Sequence, residues 1–320
     1  MNKPILEIKG LKTHFFTYNG VVLAVDGIDL TVNRNEVIGI VGETGCGKSV
    51  TVRSTMGLVP EPGRIVSGRI LLDGENLLDK GDAELRRIRG SRMSMIFQNP
   101  LSSLNPVFTI GNQVGHVISI HQNKTKEESR RRAVEVFDLV RLPDPVRLLK
   151  KYPHELSGGM LQRVMIAMAL SCRPEVLIAD EPTTALDVTI QAQILSLMLQ
   201  LKEETGTAII LITHDLGVVA ETCDRVAVMY AGLIVERGPV QAIFNEPLHP
   251  YTEGLLASLP GQQKAGDELM TIEGQVPDLI HPPSGCRFHP RCPIAEEVCH
   301  RKVPDLLQKG NGQAVACHFR

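Results

Sequence analysis

The sequence predicts an α/β chain: a parallel sheet wrapped by helices, an antiparallel β portion on its N-terminal side, and a small cysteine-bearing extension. Three observations carry this. Short apolar, β-branched runs at 36–41, 176–179 and 208–213 alternate with helical segments, as buried parallel strands do. The first of them feeds a glycine-rich loop at 42–49. After about Gly238 prolines multiply and periodicity fades, so a boundary is expected near 240, dividing the chain into 1–240 and 241–320.

The elements follow in order. Residues 5–16 and 21–32 alternate loosely in polarity, as antiparallel strands do. Residues 68–74 read as a strand closed by a turn at Asp73-Gly74. Thr125-Lys126-Glu127-Glu128 is a capping box, and the helix it opens carries Ala133, Val136, Phe137 and Val140 on one face. A second helix is expected over 160–170. Residues 226–230 and 233–236 form a hairpin about Ala231-Gly232. The chain shows neither an internal repeat nor a low-complexity tract.

With 320 residues, 43% of them hydrophobic, the chain can bury a large core. A net charge of −2 argues against a general nucleic-acid binder, which needs a basic surplus. Met1-Asn2-Lys3-Pro4 leads into a strand pattern rather than a signal peptide, and no apolar run approaches the roughly 20 residues of a membrane helix. The expectation is a cytosolic chain, in which the crowding of Cys286, Cys292, Cys299 and Cys317 suggests metal before disulfide.

Gly42-Glu43-Thr44-Gly45-Cys46-Gly47-Lys48-Ser49 fits G-x-x-x-x-G-K-[ST]. Its glycines let the backbone curl around one anion, and the following helix adds its positive end. Lys48 suits the β- and γ-phosphates, and Ser49 Oγ a Mg²⁺ ion; Cys46 stands at a freely varying position and is given no chemistry. The strand 176–179 ends in Asp180 and Glu181. Asp180 suits Mg²⁺, and Glu181 the polarisation of an attacking water as general base. These two features alone indicate a P-loop nucleotide hydrolase or kinase.

Leu156-Ser157-Gly158-Gly159-Met160, followed by Gln162-Arg163, narrows the class. Ser157 caps a helix, and the two glycines let N–H groups approach an anion. The segment resembles the signature of ATP-binding-cassette (ABC) ATPases, a resemblance that covers about residues 5–240. It implies a RecA-like core with an antiparallel β subdomain and a helical subdomain over about 96–165. It also implies that Ser157, Gly158 and Gly159 serve ATP held by a second cassette. By the same resemblance Gln98 looks like the glutamine that reaches Mg²⁺ and water, and Asp187 in Ala185-Leu186-Asp187 belongs to a loop crossing the cassette interface. His214 looks like the histidine that touches the γ-phosphate. Phe15 is the expected adenine-stacking ring, with Phe16 and Tyr18 as alternatives that spacing does not separate.

The extension narrows the family further. Pro282-Pro283-Ser284-Gly285-Cys286-Arg287-Phe288-His289-Pro290-Arg291-Cys292-Pro293, with Cys299 and Cys317, resembles the tail of dipeptide/oligopeptide importer ATPases. His249-Pro250-Tyr251-Thr252 and the segment 99–106 resemble that subfamily too. The cysteine spacing C-x5-C-x6-C-x17-C suits zinc or an iron–sulfur centre on residue chemistry. The resemblance implies a four-iron, four-sulfur (4Fe-4S) cluster, with zinc as the alternative.

The implied activity is ATP hydrolysis coupled to import of di- or oligopeptides. The implied partners are a second ABC ATPase subunit, expected to be a paralogue, two membrane permease subunits and an extracytoplasmic solute-binding protein, with no nucleic acid. The implied location is the cytoplasmic face of the cell membrane. Import of nickel or another solute, and a soluble non-transport ABC ATPase, are the alternative readings. Residues 99–106 are expected to stay exposed and meet a permease helix.

Overall fold

A computed structural model describes residues 3–183, 187–259 and 272–320. Ala185 and Leu186 lie outside them. The described residues form strands β1 (Pro4–Thr17), β2 (Gly20–Asn33), β3 (Val37–Val41), β4 (Gly63–Leu72), β5 (Glu75–Asn76) and β6 (Met93–Ile96). Further along the chain come β7 (Val176–Asp180), β8 (Ala208–Ile212), β9 (Arg225–Tyr230), β10 (Leu233–Pro239), β11 (Leu307–Gln308) and β12 (Ala314–Val315). The chain divides into two compact units. One, rich in helices, comprises Met1–Ile5, Asn33–Glu36 and Asp79–Ile210; the other, rich in sheet, comprises Leu6–Val32, Val37–Leu78 and Leu211–Arg320.

In the sheet-rich unit an antiparallel sheet runs in the order β2-β1-β4-β5. Strand β4 begins at Gly63, five residues before the expected start at 68. The physical reason is a bulge. Gly68 sits at φ +110°, where a Cβ would meet the Leu11 backbone, and the β1–β4 register shifts between Lys9 and Thr13. A glycine that reads as a boundary thus lies inside a strand. Beyond it Thr13 pairs with Ile65 and Phe15 with Gly63.

Strand β3 pairs in parallel with β9, β9 turns into the antiparallel β10, and β12 and β11 extend that edge. The expected hairpin turn is present, with Ala231 at φ +47° and Gly232 at +83°, the pair of left-handed residues that matches strand twist. Val41, Val226, Val228, Tyr230, Tyr251 and Phe288 share one buried cluster. The Tyr230, Tyr251 and Phe288 rings lie with centroids 4.6 to 5.4 Å apart, in tilted and edge arrangements that aromatic quadrupoles favour. Proline-rich and aperiodic as it is, the C-terminal segment therefore owns part of a core.

In the helix-rich unit β6 and β7 pair in parallel, and Ala208 N–H donates to Glu175 O beside them. The main helices are Ile110–Gln122, Lys126–Leu139, Gly158–Leu170 and Val188–Thr205. The Thr125 capping box forms in both directions, and Ala133, Val136, Phe137 and Val140 are fully buried, as their spacing predicts. The expected exposure of 99–106 holds at Asn99, Ser102, Asn105 and Pro106 but fails at Leu104, which is buried. Pro100–Ser103 coils into a short helix packed on Gly158–Leu170, and Leu104 follows it inward. Among the described residues no helix is long and apolar enough to cross a membrane.

Candidate functional site

Strand β3 ends at Val41, and the chain curls through 42–49 into the helix Lys48–Thr55. Two glycines make the curl possible. Gly42 (φ +145°) and Gly47 (φ +104°) lie where any Cβ would strike a backbone carbonyl, that of Met229 and that of Ala24. Lys48 folds back on the loop: its Nζ donates to Gly42 O at 2.6 Å and to Glu43 O at 2.9 Å, and the side chain is nearly buried. The first N–H groups of any helix lack partners within it, and with the helix dipole they form an anion cradle. Ser49 is the second residue of this helix. Cys46 is fully buried and burial pushes its thiol up, so it stays protonated.

His214 follows β8 and is exposed. The next residue, Asp215, caps the helix Leu216–Thr222 by accepting from Gly217 N at 2.9 Å and Val218 N at 3.2 Å. Phe15 is half-buried near the end of β1, its ring against Gly63. Phe16 lies under the Arg64 guanidinium, 5.8 Å from centroid to Cζ, and Tyr18 is fully exposed.

In the helix-rich unit Asp180 closes β7 and is buried, and Glu181 follows it at φ +49°. A bulky residue in the left-handed region is uncommon and persists where its surroundings dictate it. Gln98 Nε2 donates to Glu181 Oε2 at 3.0 Å, so two expected site residues distant in sequence meet. Ser157 caps the helix Gly158–Leu170, accepting from Met160 N at 3.4 Å, and Ser157 and Gly158 are exposed. Gly159 passes close to Ile190, 3.1 Å from where its Cβ would stand. Asp187 is the N-cap of Val188–Thr205 and accepts from Ile190 N at 2.9 Å, a structural role its motif did not announce.

Cys286, Cys292, Cys299 and Cys317 line one cavity with His249, Phe288, Ile294 and Pro304. Cys286 N–H donates to Cys299 O at 2.8 Å, tying two of them through backbone. Burial pushes the Cys286 thiol up to about 11, with the other three sulfurs adding to the rise. Among the described residues no group of three or more His, Cys, Asp or Glu is gathered to hold a metal ion. The four thiols thus share a cavity, but the expected metal-ligand grouping is not found among the described residues.

Two features gave no signal in the sequence. Glu43, inside the phosphate loop, is bound by Tyr251 and Arg291 of the C-terminal segment. Arg287, next to Cys286, reaches Asp26 Oδ2 and Ala231 O. Burial works against the charged Asp26, but Lys12 and Arg287 outweigh it and hold its carboxyl below the usual range.

A family model described as ABC transporter matches residues 25–184, and one described as the C-terminal region of oligopeptide/dipeptide transporters matches residues 235–299. The chain is 51% identical to the oligopeptide transport ATP-binding protein AppD of Bacillus subtilis, over 98% of this chain and 96% of AppD. It is 46% identical to the dipeptide transport ATP-binding protein DppD of Escherichia coli, again over 98% of this chain and 96% of the relative. Among solved structures, the dimeric ABC transporter cassette MJ0796 superposes with a TM-score of 0.66 at 28% identity, over 73% of this chain and 98% of that one. The chain belongs to the ABC transporter family and carries, after its cassette, the C-terminal region of the oligopeptide/dipeptide transporters.

Proposed function

We propose that this chain is the ATP-hydrolysing subunit of an importer of di- or oligopeptides. One observation carries the reading: a phosphate-binding cassette and the C-terminal region of oligopeptide/dipeptide transporters occur in one chain. Relatives matched nearly end to end are named as ATP-binding proteins of peptide transport. The cassette acts with two membrane permease subunits, an extracytoplasmic solute-binding protein and a second, paralogous cassette, at the cytoplasmic face of the membrane. The exposure of Ser157 and Gly158 supports a second cassette, since it leaves these groups accessible to a nucleotide from outside this chain.

In this reading Lys48 holds the β- and γ-phosphates, and Ser49, Gln98 and Asp180 serve Mg²⁺. Glu181 polarises the attacking water, steadied by the amide of Gln98. His214 meets the γ-phosphate, and a ring of the Phe15–Tyr18 segment, Phe15 first, stacks on adenine. Such catalysis is mostly positioning and charge stabilisation. The cassette spans about 1–240, with its helical subdomain over about 96–165.

Cys286, Cys292, Cys299 and Cys317 would hold a 4Fe-4S cluster. Their shared, largely apolar cavity supports it. Zinc is the alternative, since four thiolates suit either group. Such a group would supply binding energy to a segment of little regular structure.

The test uses the assembled transporter in liposomes, with the partner site disabled. Glu181→Gln should cut ATP turnover about 10²–10⁴-fold and leave nucleotide binding intact. Near-normal turnover removes Glu181 from the role, and ATP hydrolysis indifferent to peptide in the unaltered transporter removes the peptide substrate.

A further inference from the structure

Glu43 is the second residue of the phosphate loop, and the C-terminal segment holds it twice. Its backbone N–H donates to Tyr251 Oη at 2.9 Å. Its carboxylate accepts from Arg291 Nη1, at 2.9 Å to Oε1 and 3.2 Å to Oε2. Both partners are anchored. Tyr251 is fully buried, and its own N–H donates to His249 Nδ1 at 3.0 Å. The Arg291 side chain is only 6% exposed against 30% for Glu43. It also donates from Nε to Glu273 O at 2.8 Å and from Nη2 to Ile272 O at 3.2 Å, with its guanidinium 5.7 Å from the Tyr230 ring. A guanidinium engaged on all sides is a fixed charge, not a wandering surface one.

A phosphate cradle works by presenting positive groups, so a carboxylate within it opposes the ligand unless neutralised. Arg291 supplies that charge. The Glu43 carbonyl, meanwhile, accepts from Lys48 Nζ, so the peptide unit before Glu43 is held by Tyr251 and the one after it by Lys48. We infer that Arg291 and Tyr251 are positioning residues of the ATP site: Arg291 cancels the Glu43 charge, and Tyr251 fixes the loop backbone. The inference rests on the reading that 42–49 binds nucleotide phosphates. It also gives the C-terminal segment a task in the ATPase itself, because Arg291 directly precedes Cys292.

The experiment is equilibrium binding of N-methylanthraniloyl-ATP to the full-length chain at low and high salt. Arg291→Met should weaken binding about tenfold at low salt, the loss expected for one charge-assisted pair. Because the cause is repulsion from a bare Glu43, the deficit should shrink to about twofold near 0.5 M salt. Adding Glu43→Gln to Arg291→Met should restore binding to within about threefold of the unaltered chain. Tyr251→Phe, which keeps the ring and loses only the acceptor, should cost about threefold at every salt concentration.

A deficit in Arg291→Met that salt does not move and Glu43→Gln does not rescue overturns the charge role. Unchanged binding in Arg291→Met overturns it too. Unchanged binding in Tyr251→Phe overturns the backbone role. Should Arg291→Met fail to fold, Arg291→Lys takes its place: it keeps the charge, and binding more than about tenfold weaker with salt-independent loss counts against the inference. Lys48→Ala separates the two levels. If it binds the nucleotide as well as the unaltered chain, the phosphate-loop reading fails; if it loses binding while Arg291→Met does not, only this inference fails.

Discussion

The phosphate loop and the cysteine segment assemble their binding groups in different ways. The loop uses consecutive residues, 42–49: its backbone curls at Gly42 and Gly47, where a Cβ would strike a carbonyl, and Lys48 folds back on that backbone. The cysteine segment gathers four side chains, Cys286, Cys292, Cys299 and Cys317, around one cavity, on a chain with only short elements such as Glu297–Arg301 and Ala314–Val315. It is fastened to the rest of its unit by β12 on β10 and by Arg287 on Asp26 and Ala231. A loop of consecutive residues is sensitive to an added Cβ at its glycines as well as to loss of Lys48. A site of scattered side chains depends instead on remote contacts to bring its members together.

The largest expected effect tests the first half of that contrast. Gly47→Ala adds a Cβ against Ala24 O at a left-handed position, so nucleotide affinity should fall at least about a hundredfold. Equilibrium binding measures it, and an affinity within threefold of the unaltered chain would show that the loop is not held by its backbone.

An intermediate effect tests the second half. Anaerobically purified protein should carry about four iron and four sulfide per chain, and Cys299→Ser should lose them. Nucleotide affinity in that variant should drop by about tenfold at most, because the hydrogen bonds of Arg291 and Tyr251 with the loop fall at Glu43. A loss as large as that of Gly47→Ala would erase the distinction between the regions. One zinc and no iron would replace the cluster with a structural zinc site.

The smallest effect lies in the helix-rich unit. Ser157→Ala removes a cap from Gly158–Leu170 and should cost about 1 kcal/mol in thermal or denaturant unfolding, with no change in metal content. A cost near zero would mean that Ser157 matters only for a nucleotide on the partner cassette.

Much of the fold was legible because its signals are local. The capping box at Thr125 and the hairpin at Ala231-Gly232 depend on residues within one or two turns of each other, and both form as written. The acidic pair at the end of β7 and the serine before Gly158 likewise sit where their neighbours put them. Two readings failed for the same reason in reverse. Gly68 looks like a strand boundary until β1 is known to lie beside it, and Leu104 looks exposed until the short helix before it is packed.

The sequence by itself determined the glycine-rich curl at 42–49, most of the long strands in their order along the chain and the crowding of four thiols near its end. In each case the determining residues are neighbours or lie within a short stretch of chain. Only the tertiary structure decided that Gln98 meets Glu181, that Tyr251 and Arg291 hold Glu43, and that Arg287 pairs with Asp26. A tyrosine, arginine or glutamate reads the same in sequence whether it faces water or a partner more than 200 residues away. What distinguishes the two is the packing around the pair: Tyr251 and Arg287 are buried, and there an unmatched polar group would be costly.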